Sequence, residues 1–264
     1  MKAIVWQERY KCSFKCPYCN IFALPQDKPL PDWKLFVDAF NKLRPTTLDI
    51  TGGEPFLNKN IVDIINGVDC AIGITTNMSQ DMIRFAREVH PSKVVNMTLS
   101  YHPTQNMSKD IFIGKALMLQ SAGFSVNVNF VTYPEQVYLT GMLKREFEFL
   151  GIPFHVDPYA SCENKHGNNE TEQAFMRQYV GWDRMFRAGK TRADNVLCSA
   201  GHDYLMVNPY GDAHRCMTGS FINFDVVGNI LDANFKLLDG MKPCAFGGQC
   251  GGCDRDKATI HDLA

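Results

Sequence analysis

Lys2-Ala-Ile-Val-Trp-Gln-Glu8, followed at once by Cys12-Ser-Phe-Lys-Cys16-Pro-Tyr-Cys19, decides how this chain is to be read. The first run has the apolar content of a buried strand, and the second sets three thiols in one short loop at that strand's C-terminal end. Three thiolates can hold three irons of a four-iron, four-sulfur cluster and leave the fourth iron open to a small molecule. Two other readings compete. A closed structural zinc site wants four N or S ligands, usually from paired C-x2-C knuckles. A disulfide framework belongs to secreted chains, and the sequence enters its first strand with no cleavable apolar segment before it.

Working outward, strand and helix patterns alternate. A Pro-rich connection through Pro25, Pro29 and Pro31 leads to Asp32, which can cap a helix whose apolar positions Phe36, Ala39, Phe40 and Leu43 recur at helical spacing. Strands are predicted at 47–51, 70–75, 94–100, 125–131 and 153–158. Between them lie helices around Ile61–Ile65, 82–89, 110–122 and 139–150, the last two closed by Gly123 and Gly151. Six strand-helix units in series imply parallel strands with right-handed crossovers, and six rather than eight imply a barrel left partly open. The expected fold is therefore α/β, a partial (β/α)6 TIM-like barrel over residues 1–160. Functional side chains should gather at the C-terminal ends of its strands. Residues 161–197 read as a polar linker and a helix from about Glu170 to Ala188. Residues 198–264 form a small C-terminal appendage with hairpin-like runs at Tyr204–Val207 and Ala213–Cys216 about the turn Asn208-Pro-Tyr-Gly211.

Composition narrows the function. Of 264 residues, 45% are hydrophobic, and 27 Lys and Arg balance 28 Asp and Glu to a net charge of -1. That balance recruits neither nucleic acid nor an anionic membrane. No apolar run reaches the roughly 18 residues of a membrane span, so a soluble, cytoplasmic protein is expected. Ten Cys in a reducing compartment point to metal or redox chemistry rather than bridges.

The spacing C-x3-C-x2-C, with an aromatic before the last Cys, resembles the signature of the radical S-adenosylmethionine (SAM) enzymes, and Thr51-Gly-Gly-Glu-Pro55 falls where that family carries its GGE motif. The resemblance implies that Cys12, Cys16 and Cys19 ligate a [4Fe-4S] cluster whose open iron chelates SAM. A reduced cluster then yields a 5′-deoxyadenosyl radical that takes a hydrogen atom from substrate. It implies that Tyr18 lies near the adenine and that Glu54 holds the ammonium end. Gly52 and Gly53, lacking Cβ atoms, let backbone approach the cofactor. Ser100 and Asn129 occupy strand-end positions used for ribose or carboxylate contacts. An external electron donor such as flavodoxin or ferredoxin is implied as well.

Cys198, Gly211 and Cys216 make C-x12-G-x4-C, and Cys250-Gly-Gly-Cys253 adds a C-x2-C. This resembles the twitch appendage, a shortened SPASM domain, in which four cysteines hold an auxiliary [4Fe-4S] cluster. The spacing is similar to that of radical SAM dehydrogenases of the butirosin-pathway kind. Cys244 departs from the pattern, giving C-x5-C-x2-C, and a zinc knuckle built from the same thiolates stays open. Cys70 reads as a small buried hydrophobe. Cys162, after the sixth strand, is a candidate hydrogen-atom donor to a substrate radical. His102, His155 and Asp157 are candidate proton acceptors near strand ends four and six. The function implied is hydrogen abstraction from a small molecule, a carbohydrate or cyclitol, leading to oxidation or epimerisation. The alternative is a maturase acting on a ribosomally made peptide.

Overall fold

The computed structural model describes residues 1–24, 28–159, 170–176, 178–179, 196–246 and 260–262. Six strands run in parallel order: β1 (Ala3–Arg9), β2 (Thr47–Gly52), β3 (Ala71–Thr76), β4 (Val94–Ser100), β5 (Val126–Thr132) and β6 (Phe154–Pro158). Helices α1 (Trp33–Leu43), α2 (Ile61–Gly67), α3 (Ile83–Glu88), α4 (Lys109–Ser121) and α5 (Thr140–Phe149) make the crossovers. The expected open barrel is therefore present, with each strand within a residue or two of its sequence-based bounds.

Local chemistry fixes the helix ends. Asp32 caps α1 by accepting the Lys34 N–H at 3.0 Å. Arg44 closes α1 in the left-handed region at φ 50°, donating its N–H to Phe40 O at 2.9 Å. Pro45 follows, so the helix cannot continue.

Strand alternation then sorts the two faces of the sheet. Ile4, Trp6, Leu48, Ile50, Ile72, Ile74, Met97, Leu99, Val128 and Phe130 point outward into the main core, where Phe36, Phe40, Phe112 and Phe147 of the helices meet them. The alternate residues face the barrel interior. On β4 to β6 these are Asn96, Thr98, Ser100, Asn127, Asn129, Val131, His155 and Asp157, a polar wall in register across three strands.

Beyond β6, α6 (Glu170–Met176) is the described part of the helix expected from Glu170; its expected continuation to Ala188 lies outside the described residues, apart from the turn at 178–179. Strands β7 (Val196–Cys198), β8 (Tyr204–Val207), β9 (Asp212–His214) and β10 (Val226–Asn229) follow, with α7 (Met217–Phe221) between β9 and β10. The hairpin β8–β9 is antiparallel, as its turn residues predict. Sequence reading did not foresee its destination. β8 pairs in parallel with the free edge of β1, giving one nine-stranded sheet in the order β10-β9-β8-β1-β2-β3-β4-β5-β6. The sheet stays open, with β10 and β6 as its edges. β7 is the middle strand of a separate sheet between β11 (Lys242–Pro243) and β12 (Ile260–Asp262). Among the described residues no helix is long and apolar enough to cross a membrane.

Candidate active site

The cysteine loop leaves β1 directly beside the turn that leaves β2, and the two are laced together. Past a register shift at Gln7/Arg9, Arg9 pairs with Gly52, Gly53 donates its N–H to Arg9 O at 2.7 Å, and Glu54 donates to Lys11 O at 3.0 Å. This explains the glycines differently from the expectation. A Cβ on Gly52 would stand 2.3 Å from Arg9 O, and one on Gly53 would stand 2.2 Å from Lys11 O. Both side chains are excluded by the chain's own crossing strand, and Gly52 also has φ +128°. Glycine is required here first to join the two motifs.

A cavity of about 200 Å³ opens over this junction. Cys12, Cys16, Cys19, Tyr18, Gly52, Gly53, Ser100 and His102 line it, so eight residues singled out in sequence meet in one place. Phe14, Thr51, Thr75, Thr76, Asn77 and Val131 complete the lining. Cys16 is buried, and desolvation followed by the charge of Cys19 pushes its thiol up to about 12. Cys12 is raised too, by burial first and then by Glu54 and Cys19, while hydrogen bonds from Phe14 and Asn77 pull the other way. The Phe14 N–H and the Asn77 amide each reach Cys12 Sγ at 3.4 Å. Such N–H donors suit a sulfur that carries negative charge as a metal ligand. Among the described residues, no three His, Cys, Asp or Glu side chains are drawn close enough to grip a single metal ion.

Asn77 is the residue that sequence reading passed over. It follows directly on β3. Its backbone N–H goes to Glu54 Oε2 at 2.7 Å, and its side chain also reaches Ser13 Oγ at 3.3 Å. The next residue, Met78, is buried in the left-handed region at φ 61°. Lys115 Nζ secures this turn through Met78 O at 2.6 Å and Gln80 O at 2.7 Å. Backbone held in so rare a conformation needs such support.

Glu54 does not line the cavity. Its carboxylate has no exposed surface and accepts from Phe56 N at 3.0 Å, Thr76 Oγ1 at 2.8 Å and Asn77 N. Glu54 thereby ties β2, β3 and the Asn77 turn together. Burial raises its pKa, and the three donors oppose that rise.

Over the cavity, the Tyr18 hydroxyl and His102 Nδ1 are 2.7 Å apart, and Phe14 and Tyr133 pack around them. Desolvation lowers His102 to about 4. The imidazole is therefore neutral at pH 7, and its contact with the Tyr18 hydroxyl orients that ring. Asn129 does not join the cavity lining. Its amide donates to Asp157 Oδ2 at 2.8 Å, and His155 Nε2 stands 3.6 Å from Asp157 Oδ1. These three groups form their own cluster on the interior wall, and Ser100 pairs opposite Asn129.

In the C-terminal region, Cys198 ends β7 and Cys216 precedes α7, and both pack against a small core of Ala3, Val5, Ala200, Tyr204 and Met206. Cys162, Cys250 and Cys253 lie outside the described residues. Cys70 is half-buried against the main core, in keeping with a packing role.

With this geometry in hand, the chain can be set beside known proteins. It matches SuiB of Streptococcus suis bound to S-adenosylmethionine with TM-score 0.65 at 14% identity, covering 88% of this chain and 64% of that one. It also matches anSMEcpe with bound AdoMet and Cp18Cys peptide with TM-score 0.63 at 14% identity, covering 95% and 88%. The fold is therefore that of these AdoMet-bound proteins. In sequence, the chain is similar to a GTP 3′,8-cyclase of Rhizobium etli, 31% identical over 102 residues, and to one of Vibrio parahaemolyticus, 34% identical over 104. Each match takes in 34% of this chain, and it spans less than a third of the curated relatives, 29% and 30% of their lengths. No family model matches the chain.

Proposed function

We propose that the chain is a radical SAM enzyme in which Cys12, Cys16 and Cys19 hold a [4Fe-4S] cluster and the adjoining cavity takes S-adenosylmethionine. The observation that carries this is the lacing of the cysteine loop to the Gly52-Gly53 turn, which gathers both motifs around one cavity. The donor set fits a cluster: three soft thiols, with Cys19 close enough to raise the pKa of Cys12 and Cys16, and two N–H groups aimed at Cys12. When bound, the cluster and SAM supply a 5′-deoxyadenosyl radical able to abstract a hydrogen atom.

The chain's own residues then divide the work. Tyr18, held by His102, covers the adenine end; the Gly52-Gly53 backbone and Ser100 line the rest; Glu54 and Asn77 hold the loop. Asp157, with His155 and Asn129, faces the interior from β5 and β6 and takes the proton that an oxidation releases. In an epimerisation Cys162 donates the returning hydrogen atom, and the thiyl radical left behind takes one electron from the external donor and one proton to become a thiol again. Cys198, Cys216, Cys250 and Cys253 belong to a SPASM-like or twitch auxiliary [4Fe-4S] centre, and the division at 1–160, 161–197 and 198–264 follows these two roles. An external flavodoxin or ferredoxin supplies the electron.

The wall supports a hydroxyl-rich small molecule such as a carbohydrate or cyclitol as substrate. Its inward positions on β4 to β6 carry amides, hydroxyls, one imidazole, one carboxylate and one valine, with no Lys or Arg. A nucleoside triphosphate brings several negative charges and calls for cations that this wall does not provide. A second reading rests on the same amides: Asn96, Asn127 and Asn129 can pair with peptide groups as readily as with hydroxyls, which suits a peptide maturase. The test is iron and labile sulfide per chain after anaerobic reconstitution, for the wild type and a Cys12, Cys16, Cys19 triple Ala variant. About eight irons falling to about four supports two clusters, one of them on this loop. Equal iron in both proteins refutes the assignment of the loop.

A further inference from the structure

The second cysteine region contains a buried cation whose use is unexplained by packing alone. Arg215 is 7% exposed and directs its fork at backbone on every side. Nε donates to Ala200 O at 2.9 Å, Nη1 to Pro243 O at 2.8 Å, and Nη2 to Lys242 O at 3.1 Å and Cys198 O at 3.5 Å. Nη1 also stands 3.3 Å from Asp225 Oδ2. Those carbonyls belong to the stretches that carry Cys198 and Cys244, and Arg215 itself precedes Cys216. One guanidinium therefore fastens three cysteine-bearing segments that are remote in sequence.

The strand register makes the placement of Cys244 specific. β11 runs antiparallel to β7 with Lys242 opposite Cys198, and the Cys244 N–H continues the ladder to Val196 O at 2.8 Å. Cys244 is thus the diagonal neighbour of Cys198 on the same face, a relation that sets Cβ atoms about 7–8 Å apart or slightly less. A cluster that spreads its thiolates over separate irons accommodates such a separation. Cys216 and Cys198 pack on one small core, and Arg215, next to Cys216 in the chain, reaches the backbone of the two other segments.

We infer that Cys244 is a ligand of the same iron-sulfur centre as Cys198 and Cys216, and that Arg215 is the positioning residue that assembles the three segments. This rests on the reading of an auxiliary cluster proposed above and changes its ligand set: a [4Fe-4S] cluster takes four thiolates, so Cys244 replaces one of Cys250 and Cys253. It also gives the centre a buried positive charge beside it, which stabilises its reduced form.

The test is iron and sulfide content, with EPR of the dithionite-reduced protein, on anaerobically reconstituted full chains. The comparison takes in the wild type, Cys198→Ala, Cys244→Ala and Arg215→Lys. Cys198→Ala and Cys244→Ala are each expected to drop from about eight irons to about four, keeping one cluster's signal. Arg215→Lys preserves charge but loses the fork. It is expected to keep the first cluster's signal while the second signal shifts or fades. If Cys244→Ala retains full iron and both signals while Cys198→Ala loses four, the inference about Cys244 is wrong and the auxiliary cluster stands. If Cys198→Ala also keeps full iron, the auxiliary-cluster reading itself fails. Equal loss of both signals in Arg215→Lys overturns its local role.

Discussion

Cys16 shows most plainly what burial does to this site. Its thiol, pushed up to about 12, is almost wholly protonated at neutral pH in the metal-free protein. Because the thiolate is the nucleophile, its alkylation should be slow at pH 7 and quicken about tenfold per pH unit well past pH 9. Peptide mapping of iodoacetamide-treated apoprotein across pH 7 to 10 measures this; a rate that levels off near pH 9 contradicts it. The same shift means that loading metal at neutral pH must release protons. Glu54 is the second telling residue. Glu54→Gln puts an amide NH2 in place of one carboxylate oxygen, each of which already accepts a donor, leaving buried groups unsatisfied at a cost of about 1–3 kcal/mol. Urea unfolding of the apoprotein checks this, and an unchanged midpoint would mean that the carboxylate is not the tie described.

At the scale of elements, the lacing of β1's loop to the β2 turn allows no side chain at position 53. Gly53→Ala needs room already taken by Lys11 O, so the cysteine loop should lift away. Iron retained on that loop should fall, with far-UV circular dichroism little changed; full loading would show that the two motifs tolerate separation. Behind the sheet, Phe147 packs against Tyr101, Phe112 and Phe154 with no exposed surface. Phe147→Ala should lower unfolding free energy by about 3–5 kcal/mol, read from denaturant curves. These elements were legible in advance for a physical reason. Phe36, Ala39 and Phe40 on α1 and the alternation through Val126, Val128 and Phe130 on β5 are local periodicities. What stayed hidden was long-range: β8 joining the far edge of β1 depends on pairing about 200 residues apart, which no periodicity encodes.

Across the whole molecule, the cysteine loop and its glycine turn could be read because their chemistry is written as adjacent residue types. Asn77, Arg215 and the buried ties of Glu54 could not, since each is defined by partners brought together only by the fold. The interior wall belongs to the same category. Its charge makes a prediction about the relatives: GTP, the substrate in the name of the cyclases that resemble a third of this chain, should not bind saturably to the reconstituted protein. Tight, salt-sensitive GTP binding by equilibrium dialysis would instead place cations in that space.

The central claim, that Cys12, Cys16 and Cys19 support radical chemistry on SAM, is tested most directly by 5′-deoxyadenosine. The measurement is its release from SAM under anaerobic reduction, in the reconstituted wild type and in the triple Ala variant. The account predicts release together with methionine from the wild type and none from the variant. A fully loaded wild type that leaves SAM intact, or a variant that cleaves it equally well, would contradict it.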